Sequence, residues 1–313
     1  MNAGFLRERA ELLQTVRAFF AARGFLEVDT PLACDELIPE AHIEPVRTAD
    51  GRLLQASPEM HMKRLLCAVH RRGRAGPIFQ LCKAFRGEEH GRLHRREFTM
   101  LEWYRPGDDM RAGMDLLDEF TQATLDTPPC LRTSYRDAFW RACRVDPMNS
   151  DRRTLAGDAG DAAVDMAPGV GRDELLNLLL AQRVEPTLGA EAPEIVYHYP
   201  ATQAALACTA TDVAGVEVAE RFELYYRGVE LANGYHELTD AAELRRRLEQ
   251  VNDDRRAHGR DALPLPERLL AEMAPADNQA GLPPCAGVAL GLDRLLMLAV
   301  GAESIGEVMG EWE

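Results

Sequence analysis

The chain has 313 residues, a length that suits two domains of ~150 residues or one large α/β domain. Its 46% hydrophobic and 28% charged residues are the mix of a globular protein, which excludes long disorder and collagen-like structure. Acidic residues outnumber basic ones 51 to 36, and a net charge of −15 disfavours a chain that lives by gripping nucleic-acid backbones.

Residues 5 to 23 carry apolar side chains at helical spacing, and Gly24 stands where a helix C-terminal cap belongs. The charged residues Arg7, Glu8, Arg9 and Glu11 leave no signal-peptide core here, so the expected compartment is the cytoplasm. Gly24 to Pro31 reads as a short strand stopped by proline. Ser57-Pro58 supplies an N-cap and a first-turn proline for a helix running to about Val69, with Glu59 in its first turn.

Pro77 to Arg86 and Glu97 to Tyr104 predict a hairpin with a polar loop over 87 to 96. The stretch from about 147 to 192, rich in Asp, Ala, Gly and Pro around the apolar Leu175 to Leu180, predicts a helical insertion. Phe222 to Leu231 predicts a hairpin turning at Arg227-Gly228, and 240 to 258 a charged helix. Cys285 to Val300 predicts a strand that becomes a helix at Asp293. Asp293 and Arg294 interrupt the longest apolar run, well short of the ~18 residues of a membrane helix. Antiparallel hairpins with helices between them predict an α+β domain. The seven cysteines form no C-x-x-C, so buried thiols are expected rather than a disulfide framework or a zinc ribbon.

Alternation on the strand 97 to 104 puts Phe98, Met100, Glu102 and Tyr104 on one face. Two readings are open: a half-buried strand with Glu102 at its solvated end, or a slot where the ring stacks on a planar base while the carboxylate and phenol bind a cation. In the second hairpin, Glu223 is expected opposite Ala232 and diagonal to Glu230 at ~7–8 Å, a spacing that suits Mg²⁺ held through oxygens and waters. Bringing Asn233 to the same face requires a bulge or bend at Asn233-Gly234. Gly287 to Arg294 runs a small-residue strand into a helix, with Asp293 as N-cap and Arg294 adding a cation to an anion-friendly helix start. His90 and His94 beside Glu88 and Glu89 read as a solvated loop rather than a zinc site. Two arginines, two carboxylates and an aromatic platform together point to a nucleotide site.

Gly24 to Pro31, Phe85-Arg-Gly-Glu88 with His94 and Glu97 to Tyr104, and Gly287 to Arg294 resemble, in order, motifs 1, 2 and 3 of class II aminoacyl-tRNA synthetases. Ser57 to Arg64 and Glu230 to Glu237 resemble the lysyl branch. Motif 1 begins too early for the anticodon-binding domain of lysyl-tRNA synthetases, which makes the chain most similar to stand-alone paralogues that lysylate a lysine of translation elongation factor P. That resemblance implies one synthetase-like catalytic domain over 1–313, an antiparallel sheet flanked by helices, and a homodimer through residues 5 to 31. It further implies ATP and Mg²⁺ as cofactors, lysine or preferably (R)-β-lysine as substrate, and elongation factor P as acceptor.

Carried over by position, Arg86 and Arg294 would be catalytic, and Arg86, Glu88, His94, Phe98, Glu223 and Arg294 would bind ATP, with the adenine between Phe98 and Arg294. Glu223 and Glu230 would hold Mg²⁺. Glu59 would receive the substrate's backbone-type amine, Glu102, Tyr104, Asn233 and Glu237 its ε-ammonium, and Ala289 would shape the pocket where tRNA-charging relatives have glycine. The chain departs from the family at Gly87, at Arg95-Arg96 and in its terminal Gly310 to Glu313. The rival readings are a catalytically silent synthetase-like subunit and free-standing tRNA lysylation.

Overall fold

The computed structural model describes residues 3–74, 76–159, 171–274 and 281–309. The middle of the expected insertion, 160–170, and the divergent terminus, 310–313, lie outside them. The chain divides into two compact units. The first comprises Met1–Asp109, Ala123–Leu125 and Glu237–Glu313, and the second Met110–Gln122 and Asp126–His236.

In the first unit, helix α1 (Ala3–Ala21) buries Leu12, Val16, Phe19 and Phe20, the one-sided spacing that an amphipathic helix needs. Phe20 fixes it to the sheet by stacking on Phe79 at 4.7 Å and leaning on Trp103 at 5.2 Å. The expected strand over 24 to 31 shrinks to β1 (Leu26–Glu27). Its pairing with β4, which includes Leu26 N–H to Pro77 O and Val28 N–H to Phe79 O, ends before the proline is reached. A two-residue ladder, β2 (Ala33–Cys34) with β3 (Leu53–Leu54), leads into helix α2 (Glu59–His70). Pro58, not Ser57, occupies its cap position, although the Ser57 hydroxyl still accepts the Glu59 N–H at 3.0 Å.

Strands β4 (Ile78–Phe85) and β5 (Glu97–Pro106) pair antiparallel along their length, and β1 adds parallel to β4.

The second unit begins with helix α3 (Met110–Leu125) as far as Gln122, and continues with strand β6 (Leu131–Ser134) and helix α4 (Tyr135–Cys143), which Ser134 caps. Helices α5 (Arg152–Ala159) and α6 (Arg172–Leu179) follow, the latter continuing as a π turn (Leu180–Val184) and a 3₁₀ turn (Glu185–Thr187). Their apolar faces close on Tyr135, Phe139, Val196 and Tyr225. Strands β7 (Glu194–Pro200), β8 (Thr209–Thr211), β9 (Glu217–Tyr226) and β10 (Val229–His236) complete the unit in the order β10-β9-β7-β6, with β8 also on β9. Only β6 and β7 pair in parallel here. The β9–β10 turn falls at Arg227-Gly228, both at positive φ (52° and 71°), the tight geometry that matches strand twist.

Back in the first unit, Asp240 caps helix α7 (Ala241–Ala257), followed by α8 (Glu267–Met273). Strand β11 (Cys285–Gly291) pairs antiparallel with β5 and runs into α9 (Leu292–Val300) and α10 (Ile305–Met309). Gly291, not Asp293, sits at the cap of α9. The Asp293 carboxylate turns inward, accepting the Thr99 backbone N–H and an Arg9 guanidinium N–H, both at 2.6 Å. The architecture is α+β: mostly antiparallel strands flanked by helices.

Candidate active site

Three carboxylates converge in the first unit. Glu102 on β5 is 1% exposed, so it is not at a solvated strand end. It accepts hydrogen bonds from the Tyr104 hydroxyl at 2.6 Å and the Ser57 hydroxyl at 2.5 Å. Burial first, and the nearby Glu59 charge second, push its pKa up to about 8, while the two hydroxyls and Lys63 pull the other way. Burial and Glu102 likewise hold the Tyr104 phenol well above its ordinary range.

Lys63 lies one helical turn beyond Glu59 and is as buried as Glu102. Its ammonium sits 2.6 Å from Glu59 Oε1 and 2.6 Å from Glu237 Oε2. Burial acts to lower the Lys63 pKa, but the two carboxylates outweigh it and hold the group above its ordinary value. Glu237 follows β10 and is tied down by its N–H to the Cys285 carbonyl at 2.9 Å. Gly287 makes room for this packing: a Cβ there would stand 2.2 Å from Glu237 Oε1 and 2.3 Å from the Tyr104 ring. Ala289 pairs with Glu102 across the β11–β5 ladder, so the two side chains are same-face neighbours. A recess lined by Cys34, Leu37, Gln55, Ser57 and Glu59 opens beside the cluster.

Arg86 follows β4. Its guanidinium lies over the Phe98 ring, 5.1 Å from the centroid, and pairs with Glu89 at 3.1 Å, while its buried Nε has no acceptor. Arg294 donates to the Leu93 carbonyl at 3.2 Å and meets His94 Nε2 at 2.8 Å. A guanidinium can only donate, so His94 Nε2 accepts and the ring is neutral; burial, then Arg294, lowers its pKa accordingly. Glu88 is exposed and pairs with Arg260 at 2.9 Å. Two of the positions that depart from the family, Arg95 and Gly87, have local partners. Arg95 bonds back to the Gly91 and His94 carbonyls, and the Gly87 N–H donates to the Glu44 carbonyl at 2.7 Å, where a Cβ would come within 3.1 Å.

In the second unit the β9–β10 register differs from simple alternation. Glu223 stands opposite Asn233, not Ala232, because a bulge lies between Glu230 and Ala232 rather than at Asn233-Gly234. Glu230 pairs with Tyr225, so Glu223, Glu230 and Asn233 share one face. The Glu223 carboxylate accepts from the Tyr199 and Tyr225 hydroxyls and from Arg221. Asn233 Oδ1 is buried without a donor.

Sequence reasoning gave no role to Lys63, Glu89, Arg221 or Tyr199. The Glu59/Lys63 spacing of four was a readable helix-face pair; the others depend on strand register and loop closure. All seven cysteines are free, four of them buried. Among the described residues, Cys208, Glu220 and His236 of the second unit form one group able to hold a metal. His236 Nδ1 and Glu220 already satisfy each other at 2.6 Å, which accounts for that group without an ion. No helix among the described residues is long and apolar enough to cross a membrane.

Curated proteins from Salmonella dublin and from Salmonella paratyphi B and heidelberg are each 46% identical to this chain over 317 aligned positions, covering 97% of it and 93% of their own length. Each is named elongation factor P–(R)-β-lysine ligase. The family described as class II tRNA synthetases (D, K and N) matches residues 2–310, and with motifs 1, 2 and 3 placed on β1, β4–β5 and β11–α9, the chain belongs to that family.

Proposed function

We propose that this chain is an ATP-dependent ligase that activates lysine, preferably (R)-β-lysine, as an aminoacyl-adenylate and transfers it to a lysine side chain of translation elongation factor P in the cytoplasm. The observation that carries the reading is the near full-length similarity to ligases of that name. In the first step a substrate carboxylate oxygen attacks the α-phosphorus of ATP and pyrophosphate leaves. Arg86 is suited to the charge that builds there, since its buried Nε lacks an acceptor and its guanidinium lies over the Phe98 ring. In the second step the acceptor amine, having lost a proton, attacks the acyl carbon, and AMP leaves as the amide forms. Glu59, Glu102, Tyr104 and Glu237 bind the substrate's ammonium groups, and Glu88, His94 and Arg294 serve the nucleotide.

Glu223 and Glu230 share a face with the donorless Asn233 Oδ1, an oxygen-rich set that fits a hard cation. They would hold Mg²⁺, which when bound neutralises phosphate charge. The chain works as a homodimer through residues 5 to 31, where Leu6 and Leu26 are 53% and 66% exposed. A monomeric mass by light scattering with full activity would remove that claim.

The deciding experiment measures lysine- or β-lysine-dependent pyrophosphate exchange without RNA, then compares elongation factor P with tRNA as acceptor of labelled amino acid. Exchange and labelling of the factor are expected, and Arg86→Ala should abolish exchange. No exchange with any lysine isomer would favour a silent subunit, and labelling of tRNA alone would favour tRNA lysylation.

A further inference from the structure

Glu59 and Glu237, expected to meet the substrate's ammonium groups, already share an ammonium supplied by the chain. Lys63 Nζ is 2.6 Å from each, on a side chain 2% exposed, with the Tyr104 ring centroid 6.0 Å away. Glu237 is braced from behind by Gly287, where no Cβ fits. Each carboxylate therefore spends one oxygen on Lys63, which fixes the direction of the other.

We propose that Lys63 is a positioning residue for the amino-acid substrate: its resident cation fills the seat between Glu59 and Glu237, so the substrate's ammonium groups must bind beyond that seat. The inference rests on the ligase reading given above. Charge counting supports it. Glu59, Glu102 and Glu237 present three acidic groups and Lys63 offsets one; with Glu102 releasing its proton to solvent as an ammonium arrives, two negative charges remain for a substrate with two ammonium groups. Without Lys63, a substrate ammonium falls into the vacated seat, where the electrostatic attraction of two buried carboxylates is strongest. The substrate carboxylate is then drawn away from its point of attack on ATP. A displacement of about 1 Å at the reacting atoms costs roughly a hundredfold in rate.

The test is Lys63→Ala in the full chain, assayed by pyrophosphate exchange alone and with propylammonium, which replaces the missing side-chain atoms. The expected result is a fall in kcat of roughly a hundredfold with the KM for ATP within about twofold, and recovery of tenfold or more with propylammonium but not with 1-propanol. A structural role alone would let propanol serve as well, or would move the ATP and amino-acid parameters together with the melting temperature. Either result, or an unchanged kcat, overturns the proposal. If Lys63→Ala folds poorly, it is purified in propylammonium, and the cation must raise its melting temperature where propanol does not. Equal effects of the two overturn the proposal. A wild-type chain that fails to exchange with every lysine isomer sinks the ligase reading instead, and the cation-specific rise in melting temperature then decides the role of Lys63 alone.

Discussion

Each compact unit buries a glutamate on a central strand, and the two are neutralised in different ways. Glu223 on β9 meets the Arg221 guanidinium directly and two tyrosine hydroxyls besides. Glu102 on β5 meets two hydroxyls, while Lys63, the cation whose charge acts on it, is committed to Glu59 and Glu237. Its pKa accordingly rises to about 8, with burial the leading cause. Glu223 thus keeps a charge balanced by a guanidinium of its own, whereas Glu102, raised by burial, has none.

The largest expected effect that sharpens this contrast is Glu102→Gln. The substitution keeps the shape and removes the charge, so kcat/KM for the amino acid should fall roughly a thousandfold while the melting temperature at pH 7 holds or rises. A rate near wild type would show that Glu102 receives no ammonium. Arg221→Met should act in the opposite sense, leaving Glu223 buried without its guanidinium and lowering unfolding free energy by about 3 kcal/mol in urea denaturation. A loss below ~1 kcal/mol would place Arg221 among ordinary surface ion pairs.

The pH dependence separates the two carboxylates next. A folded pKa raised from 4.5 to about 8 gives stability that is fully present below pH 4.5 and is lost as pH rises through 8. The unliganded protein should therefore weaken between pH 5 and 8, with Glu102 contributing at most ~1.4 kcal/mol per pH unit. Denaturation across that range should show a flatter slope for Glu102→Gln; an identical slope would assign the titration to another group. The smallest effect is expected at Ala289, the cross-strand neighbour of Glu102. Ala289→Gly should raise the use of α-lysine relative to (R)-β-lysine by about tenfold in specificity constants. If both isomers change together, Ala289 is only a packing residue.

Much of the first unit was legible because its signals are local. Alternation along β5 placed Glu102 and Tyr104 on one face, and their 2.6 Å hydrogen bond bears this out. The turn at Arg227-Gly228 was equally readable, since a two-residue loop with positive φ favours glycine at its second position. The bulge between Glu230 and Ala232 was not. One extra residue in a ladder leaves no mark on composition or periodicity, yet it changed the partner of Glu223 from Ala232 to Asn233.

Asp293 and Lys63 show the same limit. By sequence Asp293 suited a helix cap, but β5 presents the Thr99 N–H and α1 presents Arg9, and a charged residue at the helix start went to those buried partners instead. The sequence by itself determined the α+β class, the strands and helices that carry the three motifs, and the residue types available for chemistry, because these follow from short-range pattern. Only the tertiary structure decided that Lys63 stands between two carboxylates separated in the chain by more than a hundred and seventy residues, Glu59 and Glu237. Burial and Coulomb attraction act through space, so which cation a buried carboxylate receives is settled only when distant strands and helices close on one another.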